Sequence, residues 1–372
     1  MCGESALSAV YLFSRDAPMK PLTVFSAFDG AGIGLLALKR VGIPVAAYYA
    51  SEVDKYAIQI AKKNHPEIIH AGDVKQCRAR NFPIIDLLIG GSPCQDLSVA
   101  KQNRAGLKGA RSGLFWHFVR LLRTMKPRWW MLENVASMSR ADRDKITEVL
   151  GVEPILINSA LVSAQQRKRL YWTNIPGVTQ PEDRGILLKD VLENGEDGLL
   201  YNPYGEKVIT GKSRALCVGS GKELNRAGQL VVSLYRGTVQ TEKAQSVGTM
   251  GNMTSKMSQV VVAPEKLGYL CGKDYQQNLL YSVRGKSVSL KGNGGDWGAN
   301  TGLYKIDLPD GDYTIRKLTP TECERLQTWP DGYTQGVSNT QRYKMIGNGW
   351  TADVVAHIFG FIPKEEAREA NH

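Results

Sequence analysis

Between Leu22 and Asn174, short apolar runs rich in β-formers alternate with amphipathic stretches of helical length, and that alternation leaves few folds open. The pattern predicts strands at Leu22–Phe28, Val45–Ser51, Ile84–Ile89 and Trp129–Leu132. It predicts helices at Ile33–Val41, Lys55–Asn64 and Gly113–Met125, the last with Leu114, Phe118, Leu121 and Leu122 at helical spacing. Strands separated by helices of this length pair in parallel through crossover connections, so the expectation is a wound α/β sheet.

After Ile175 the character changes. From Tyr201 to Lys305 there are 14 Lys or Arg against 6 Asp or Glu, which is +8 of the formal +11 carried by the 372-residue chain. The same stretch holds 16 of the 38 glycines and short β-type runs at Gln229–Tyr235 and Gln259–Ala263, the composition of a small β-rich domain of hairpins and loops. Three basic phrases, beginning at Lys212, Lys243 and Lys286, resemble one another, as a repeated hairpin unit or simply as basic strands would. Helical periodicity returns from Arg316 and ends in a helix expected at Thr351–Phe361, which should dock back onto the first domain. The expected organisation is therefore an extension over 1–20, a first domain made of 21–177 and 313–372, and a second, smaller domain over 178–312.

Other classes are excluded by composition. No run approaches the roughly 18 apolar residues of a membrane span, and six cysteines without a C-x-x-C pair read as reduced thiols of a cytosolic protein. Five scattered histidines give no basis for a metal site. The basic excess favours a polyanion partner.

Chemistry-bearing residues fall at the ends of predicted strands. Phe28-Asp29-Gly30-Ala31-Gly32 leads from a strand into a helix, a turn that can face a ligand with backbone amides or exist for steric reasons alone. Glu52 with Val53 ends the next strand, where an acid can take a ribose diol, and Asp73 with Val74 follows the third unit, where it can meet an adenine amino group. Together they describe an adenosine pocket. Pro93-Cys94 lies on a rigid turn after a very apolar strand, the placement of a nucleophile, although a lone cysteine is also read as an inert buried thiol. From Leu97 to Leu132 there are eight Lys or Arg and no acid, either a field favouring thiolate and phosphate or a solvated helix face. Glu133 emerges from an apolar strand, placed to act as an acid toward a ring nitrogen. In Gln165-Gln166-Arg167-Lys168-Arg169, strand periodicity puts Arg167 and Arg169 on one face.

The ordered set Phe28-x-Gly30-x-Gly32, Glu52, Asp73, Pro93-Cys94, Glu133-Asn134-Val135, Gln165-x-Arg167-x-Arg169, Arg316-x-Leu318-Thr319-Pro320-x-Glu322-Cys323 and Gly347-Asn348 resembles the DNA (cytosine-5)-methyltransferases over about residues 22 to 174 and 316 to 358. Phrases such as Ala50-Ser51-Glu52-Val53 look like the de novo branch known from animals, while the recognition insert is of the bacterial kind, so a bacterial, phage or prophage member is expected. The resemblance implies a Rossmann-like S-adenosylmethionine-dependent methyltransferase fold with a target-recognition domain over 178–312. It implies catalysis by Cys94, Glu133, Arg167 and Arg169, and S-adenosyl-L-methionine held by Phe28, Asp29, Gly30, Gly32, Glu52, Val53, Asp73, Val74, Pro93 and Asn348. Duplex DNA would meet Gln95, Ser98, Lys101, Arg104, Gln165, Arg214, Arg226, Arg236 and Arg284. The expected form is a cytoplasmic monomer acting on double-stranded DNA. Two departures stand out: Ala164 where the pattern usually has Pro, and Gly347-Asn348-Gly349-Trp350 where Gly-Asn-Ser-Val is commoner.

Competing readings are RNA cytosine methylation, a DNA-binding regulator on a dead core, and a nicotinamide-dependent dehydrogenase. The first lacks its Cys-Phe-Thr phrase, the second has no need of intact Cys94, Glu133 and Arg169, and the third explains the glycines alone.

Overall fold

A computed structural model describes residues 19–92, 113–193, 262–269, 279–292, 302–307 and 313–363. Its main body is a seven-stranded sheet of β1 (Leu22–Ala27), β2 (Val45–Ser51), β3 (Ile69–His70), β4 (Leu87–Gly91), β5 (Trp129–Val135), β6 (Ile155–Asn158) and β7 (Lys168–Thr173), ordered β3-β2-β1-β4-β5-β7-β6. All neighbours pair in parallel except β7, which lies antiparallel between β5 and β6. Strand order reverses between β1 and β4, and the crevice at the carboxyl ends beside such a switch point is where open α/β sheets take ligands.

Both faces of the sheet are buried, which is why β1, β4 and β5 read as nearly continuous apolar runs. One face packs under α1 (Ile33–Arg40), α2 (Lys55–Asn64) and the C-terminal α7 (Ala352–Phe359), with Val24, Leu35, Leu38, Ile60, Ile89, Val355 and Phe359 in one cluster. The other packs under α3 (Leu114–Met125) and α4 (Arg140–Leu150) through Phe25, Leu88, Phe118, Leu121, Leu132 and Ile146. The expected docking of the C-terminal helix is therefore observed. Helix ends are set locally: Asp54 accepts the Tyr56 amide at the start of α2, and Thr319 with Glu322 closes a capping box on α5 (Pro320–Leu326), with Pro at its first turn. Some boundaries moved: β5 runs on from the expected Leu132 to Val135, and the expected strand at Ile84 begins at Leu87, since Ile84 is exposed and the Asp86 carboxylate is turned back to accept the Thr23 amide at 2.8 Å.

A second, four-stranded sheet is made of β8 (Lys266–Tyr269), β9 (Leu279–Ser282), β10 (Leu303–Asp307) and β11 (Tyr313–Arg316), ordered β11-β10-β9-β8. Tyr281, Val283, Leu290 and Tyr304 join the same apolar cluster as the main sheet, so the described part of the second sheet shares a core with the first. The remaining helix is α6 (Asn339–Asn348). Among the described residues no helix is long and apolar enough to cross a membrane, and no group of His, Cys, Asp and Glu is arranged to hold a metal ion.

Candidate active site

The turn after β1 is wound tightly, with Phe28, Gly30 and Gly32 at φ of 59°, 64° and 82°. A bulky residue in the left-handed region is an uncommon, strained choice, so Phe28 marks a turn whose shape the surroundings impose. At Gly32 a side chain would meet the His65 ring at 2.9 Å. The Glu52 carboxylate locks this turn to the end of β2: one oxygen accepts the Gly30 amide at 2.9 Å, the other the Val53 and Asp54 amides at 2.7 and 2.8 Å. A carboxylate offers about four acceptor directions, so one remains for a ligand hydroxyl.

Asp29 is buried beneath the turn. Its Oδ1 accepts the Tyr48 hydroxyl at 2.7 Å, while Oδ2 is buried without a hydrogen-bond partner. Burial, with the Glu52 charge adding to it, pushes the Asp29 carboxyl up to about 6. Behind the turn, Tyr333 donates to the Ala31 carbonyl at 2.8 Å, and its hydroxyl lies 3.0 Å from His65 Nε2. Asp73 follows Gly72, itself left-handed at φ 74°, and accepts the Lys75 amide at 2.9 Å. Val53 is exposed beside Glu52, whereas the Val74 side chain is buried in the core below.

Glu133 stands at the end of β5, opposite Gly91 of β4 and Tyr171 of β7. Its Oε1 pairs with Arg169 Nε at 2.9 Å, a diagonal contact between antiparallel neighbours, and its Oε2 accepts the Trp350 indole N–H at 3.2 Å. Burial from the apolar strand is thus accompanied by a counter-charge, which the strand pattern alone does not reveal. Asn134 donates to Ser92 Oγ at 2.9 Å and so fixes the chain where it leaves β4.

The two arginines expected on one face take different partners. Arg169 reaches Glu133, but Arg167 lies just before β7, is 3% exposed, and donates to the carbonyls of Leu290, Gly347 and Gly349 at 2.9, 3.0 and 3.0 Å. Gln165, expected near DNA, is fully buried; it accepts the Leu290 amide at 2.8 Å and donates to the Leu326 carbonyl at 3.1 Å. The cause is the parallel bridge of Gln165 to Ser287, which draws 285–290 against the main body. Lys286, first residue of the third basic phrase, follows the same logic: buried, its ammonium donates to Ala160, Ser163 and Ile186 carbonyls at 2.6, 3.1 and 2.8 Å instead of facing solvent. Arg284 is exposed on the turn just before it. Asn348 ends α6 with its side chain against Gly292. Pro93, Cys94, Gln95, Ser98, Lys101, Arg104, Arg214, Arg226 and Arg236 lie outside the described residues.

Trp350, Tyr48 and Tyr333 are contributors not among the expected site residues, whereas Asn134 stands in the quoted Glu133-Asn134-Val135 motif. Of the three, only Trp350 carried a sequence signal, as a departure from Gly-Asn-Ser-Val.

The fold is shared with a methyltransferase of known structure. The Entamoeba histolytica methyltransferase EhMeth superposes with a TM-score of 0.62 at 14% identity, covering 92% of this chain and 98% of that one. The chain belongs to the C-5 cytosine-specific DNA methylase family, which it matches over residues 22–364, and is a DNA cytosine-5 methyltransferase. It is 26% identical to the orphan methyltransferase M.SPRI of Bacillus phage SPR, over 92% of this chain and 97% of that protein. It is also 26% identical to the type II methyltransferase M.HhaI of Haemophilus parahaemolyticus, over 92% and 95% of the two chains.

Proposed function

We propose that the chain methylates C5 of a specific cytosine in duplex DNA through a covalent adduct between Cys94 and C6. The observation that carries this reading is the Glu133 carboxylate, braced by Arg169 and facing Gly91 across the β4–β5 register. Cys94 follows Gly91 by three residues, so covalent geometry keeps its Cα within about 10 Å of that edge.

The cofactor turn fits S-adenosyl-L-methionine: Glu52 has an acceptor direction for a ribose hydroxyl, Asp73 stands at the next strand end, and the unpartnered Asp29 oxygen places negative charge where a sulfonium or ammonium is welcome. When bound, that molecule supplies an electrophilic methyl group. The chain does the rest. C5 of cytosine is a poor nucleophile, so the Cys94 thiolate adds to C6 while Glu133 holds and protonates N3, and the resulting enamine is nucleophilic at C5. Arg169 fixes Glu133 and the base; Arg167 acts at one remove, through the carbonyls it grips. After methylation, solvent takes the C5 proton, the C5–C6 double bond re-forms, the thiolate leaves and N3 returns its proton. Neither ring atom can be approached from this direction inside a stack, so the cytosine must be flipped out. Residues 178–312 act as the target-recognition domain, with Arg214, Arg226, Arg236 and Arg284 the candidates to meet DNA and Lys101 and Arg104 following the nucleophile in sequence.

Duplex containing 5-fluorocytosine tests the covalent step. Wild type should be trapped on it with cofactor present, because fluorine does not leave as a proton does, while Cys94→Ala should bind DNA without trapping or turnover. Turnover by the alanine variant would overturn the assignment. Exchanging 178–312 with a relative's segment should exchange the methylated context, read by bisulfite sequencing; an active hybrid that keeps the recipient's context would remove recognition from this segment.

A further inference from the structure

A glutamate carboxylate held at one oxygen still turns about its terminal torsion, which is broad and roughly two-fold. Arg169 alone therefore locates Glu133 without fixing the plane in which its free lone pairs point. The second donor, Trp350 Nε1 at Oε2, supplies that constraint from a different part of the chain.

The position of Trp350 is itself over-determined. Its own carbonyl accepts the Trp329 indole N–H at 2.9 Å, and the preceding Gly349 carbonyl accepts from Arg167 and from Gln327, both at 3.0 Å. Two glycines make room for the two indoles. A side chain on Gly91 would stand 2.7 Å from Trp350 Nε1, and one on Gly349 would stand 2.4 Å from the Trp329 ring. Gly349 and Trp350, both departures from Gly-Asn-Ser-Val, thus form one steric solution, and a valine at 350 would have no N–H to donate.

We propose that Trp350 is a positioning residue for the methyl-transfer reaction: its indole N–H, in a frame anchored by Arg167 and Trp329, fixes the plane of the Glu133 carboxylate opposite the Arg169 contact. One oxygen is then free to carry the proton that the ring nitrogen takes up, and the other to accept the exocyclic amino group of the base. The inference rests on the reading of Glu133 as the group that meets the cytosine.

Trp350→Phe keeps an aromatic ring and removes the donor; Trp350→Val removes both. At saturating cofactor and duplex, the Phe variant should lose about tenfold in single-turnover methyl transfer, the scale of one hydrogen bond to a charged group, while cofactor Kd by calorimetry stays within about twofold. An unchanged transfer rate, or a loss carried by Kd, would make Trp350 only a pocket wall and overturn the proposal. A second measurement does not use activity: the Trp350 indole N–H resonance, assigned by its loss in Trp350→Phe or Trp350→Val, should shift in Glu133→Gln. A resonance that stays in place overturns the contact. If wild type methylates no cytosine, the reading of the site fails. If wild type is active, Glu133→Gln is inactive and Trp350→Phe matches wild type, only the present inference fails.

Discussion

Glu52 and Glu133 stand at the carboxyl edge of one sheet, on opposite sides of the switch point, yet one is held by backbone amides and the other by side chains. Glu52 takes its three donors from Gly30, Val53 and Asp54, all within 22 positions of itself. Glu133 takes an arginine from β7, 36 residues later, and an indole 217 residues later. A carboxylate satisfied by neighbouring amides is assembled as soon as β1 and β2 pair. One satisfied by distant side chains forms only when the C-terminal segment has docked, which ties the geometry around this carboxylate to the completed fold.

The comparison is broken most severely at the frame of the Glu133 side. Arg167→Ala would leave the Leu290 and Gly347 carbonyls without donors, the Gly349 carbonyl keeping Gln327, and a void behind them, costing about 4 kcal/mol of stability. Arg169→Ala, at the solvent edge of the site, should cost less stability but roughly a hundredfold or more in single-turnover transfer, since it releases the carboxylate. Urea melts and transfer rates on both variants distinguish the two roles. Equal stability losses would mean that the two arginines serve one function, as strand periodicity alone would have it.

Two buried groups near the cofactor turn sharpen the comparison through pH. Asp29 is raised from 3.8 to about 6 by burial first, so its folded form binds the proton more tightly; the stability it contributes is present below pH 3.8 and lost as pH rises through about 6. His65 is lowered from 6.5 to about 4, by burial and then by the Lys39 charge, so its contribution is present above pH 6.5 and lost as pH falls through about 4. Lys39 lies 3.2 Å from Nδ1, so a proton there would face an ammonium. The two slopes oppose one another across the same window. Asp29→Asn should expose the histidine limb, with stability rising from pH 4 to 6.5; His65→Gln should expose the aspartate limb, with stability falling from pH 4 to 6. Thermal melts across that range decide it, and two variants with parallel slopes would refute the assignment.

How legible these features were follows from where their partners lie. The glycine turn, Glu52 and Asp73 were readable because each is a strand end within a local β-α-β pattern, and α2 was bounded correctly because Asp54 caps it and Lys62 and Lys63 close it. Strand β7 could not be recognised as antiparallel, since periodicity carries no direction. The burial of Gln165, expected to meet DNA, of Arg167, expected in catalysis, and of Lys286 in its basic phrase was not legible, because sequence shows polar groups and charge but not the carbonyls that satisfy them. What buried them was the bridge between Gln165 and Ser287, a pairing across 122 positions that no local pattern encodes.

The smallest effect is expected at the locally built end. Glu52→Gln keeps the shape of the side chain and one carbonyl acceptor, but turns an amide NH2 toward either the Gly30 amide or the pair at Val53 and Asp54. A ligand hydroxyl also loses its charged acceptor. Cofactor affinity by calorimetry should weaken by about 1 to 3 kcal/mol, the scale of one hydrogen bond to a charged group. Because Glu52 contacts neither Arg169 nor Trp350, transfer at saturating cofactor and duplex should change by less than about threefold, whereas Glu133→Gln should lose transfer at any cofactor concentration. That split of binding from rate makes the two ends of the sheet separable in a single assay. A Glu52→Gln enzyme that stays slow when saturated would show that the cofactor turn and the base-binding edge are mechanically coupled, and the contrast between a locally and a remotely assembled carboxylate would lose its functional meaning.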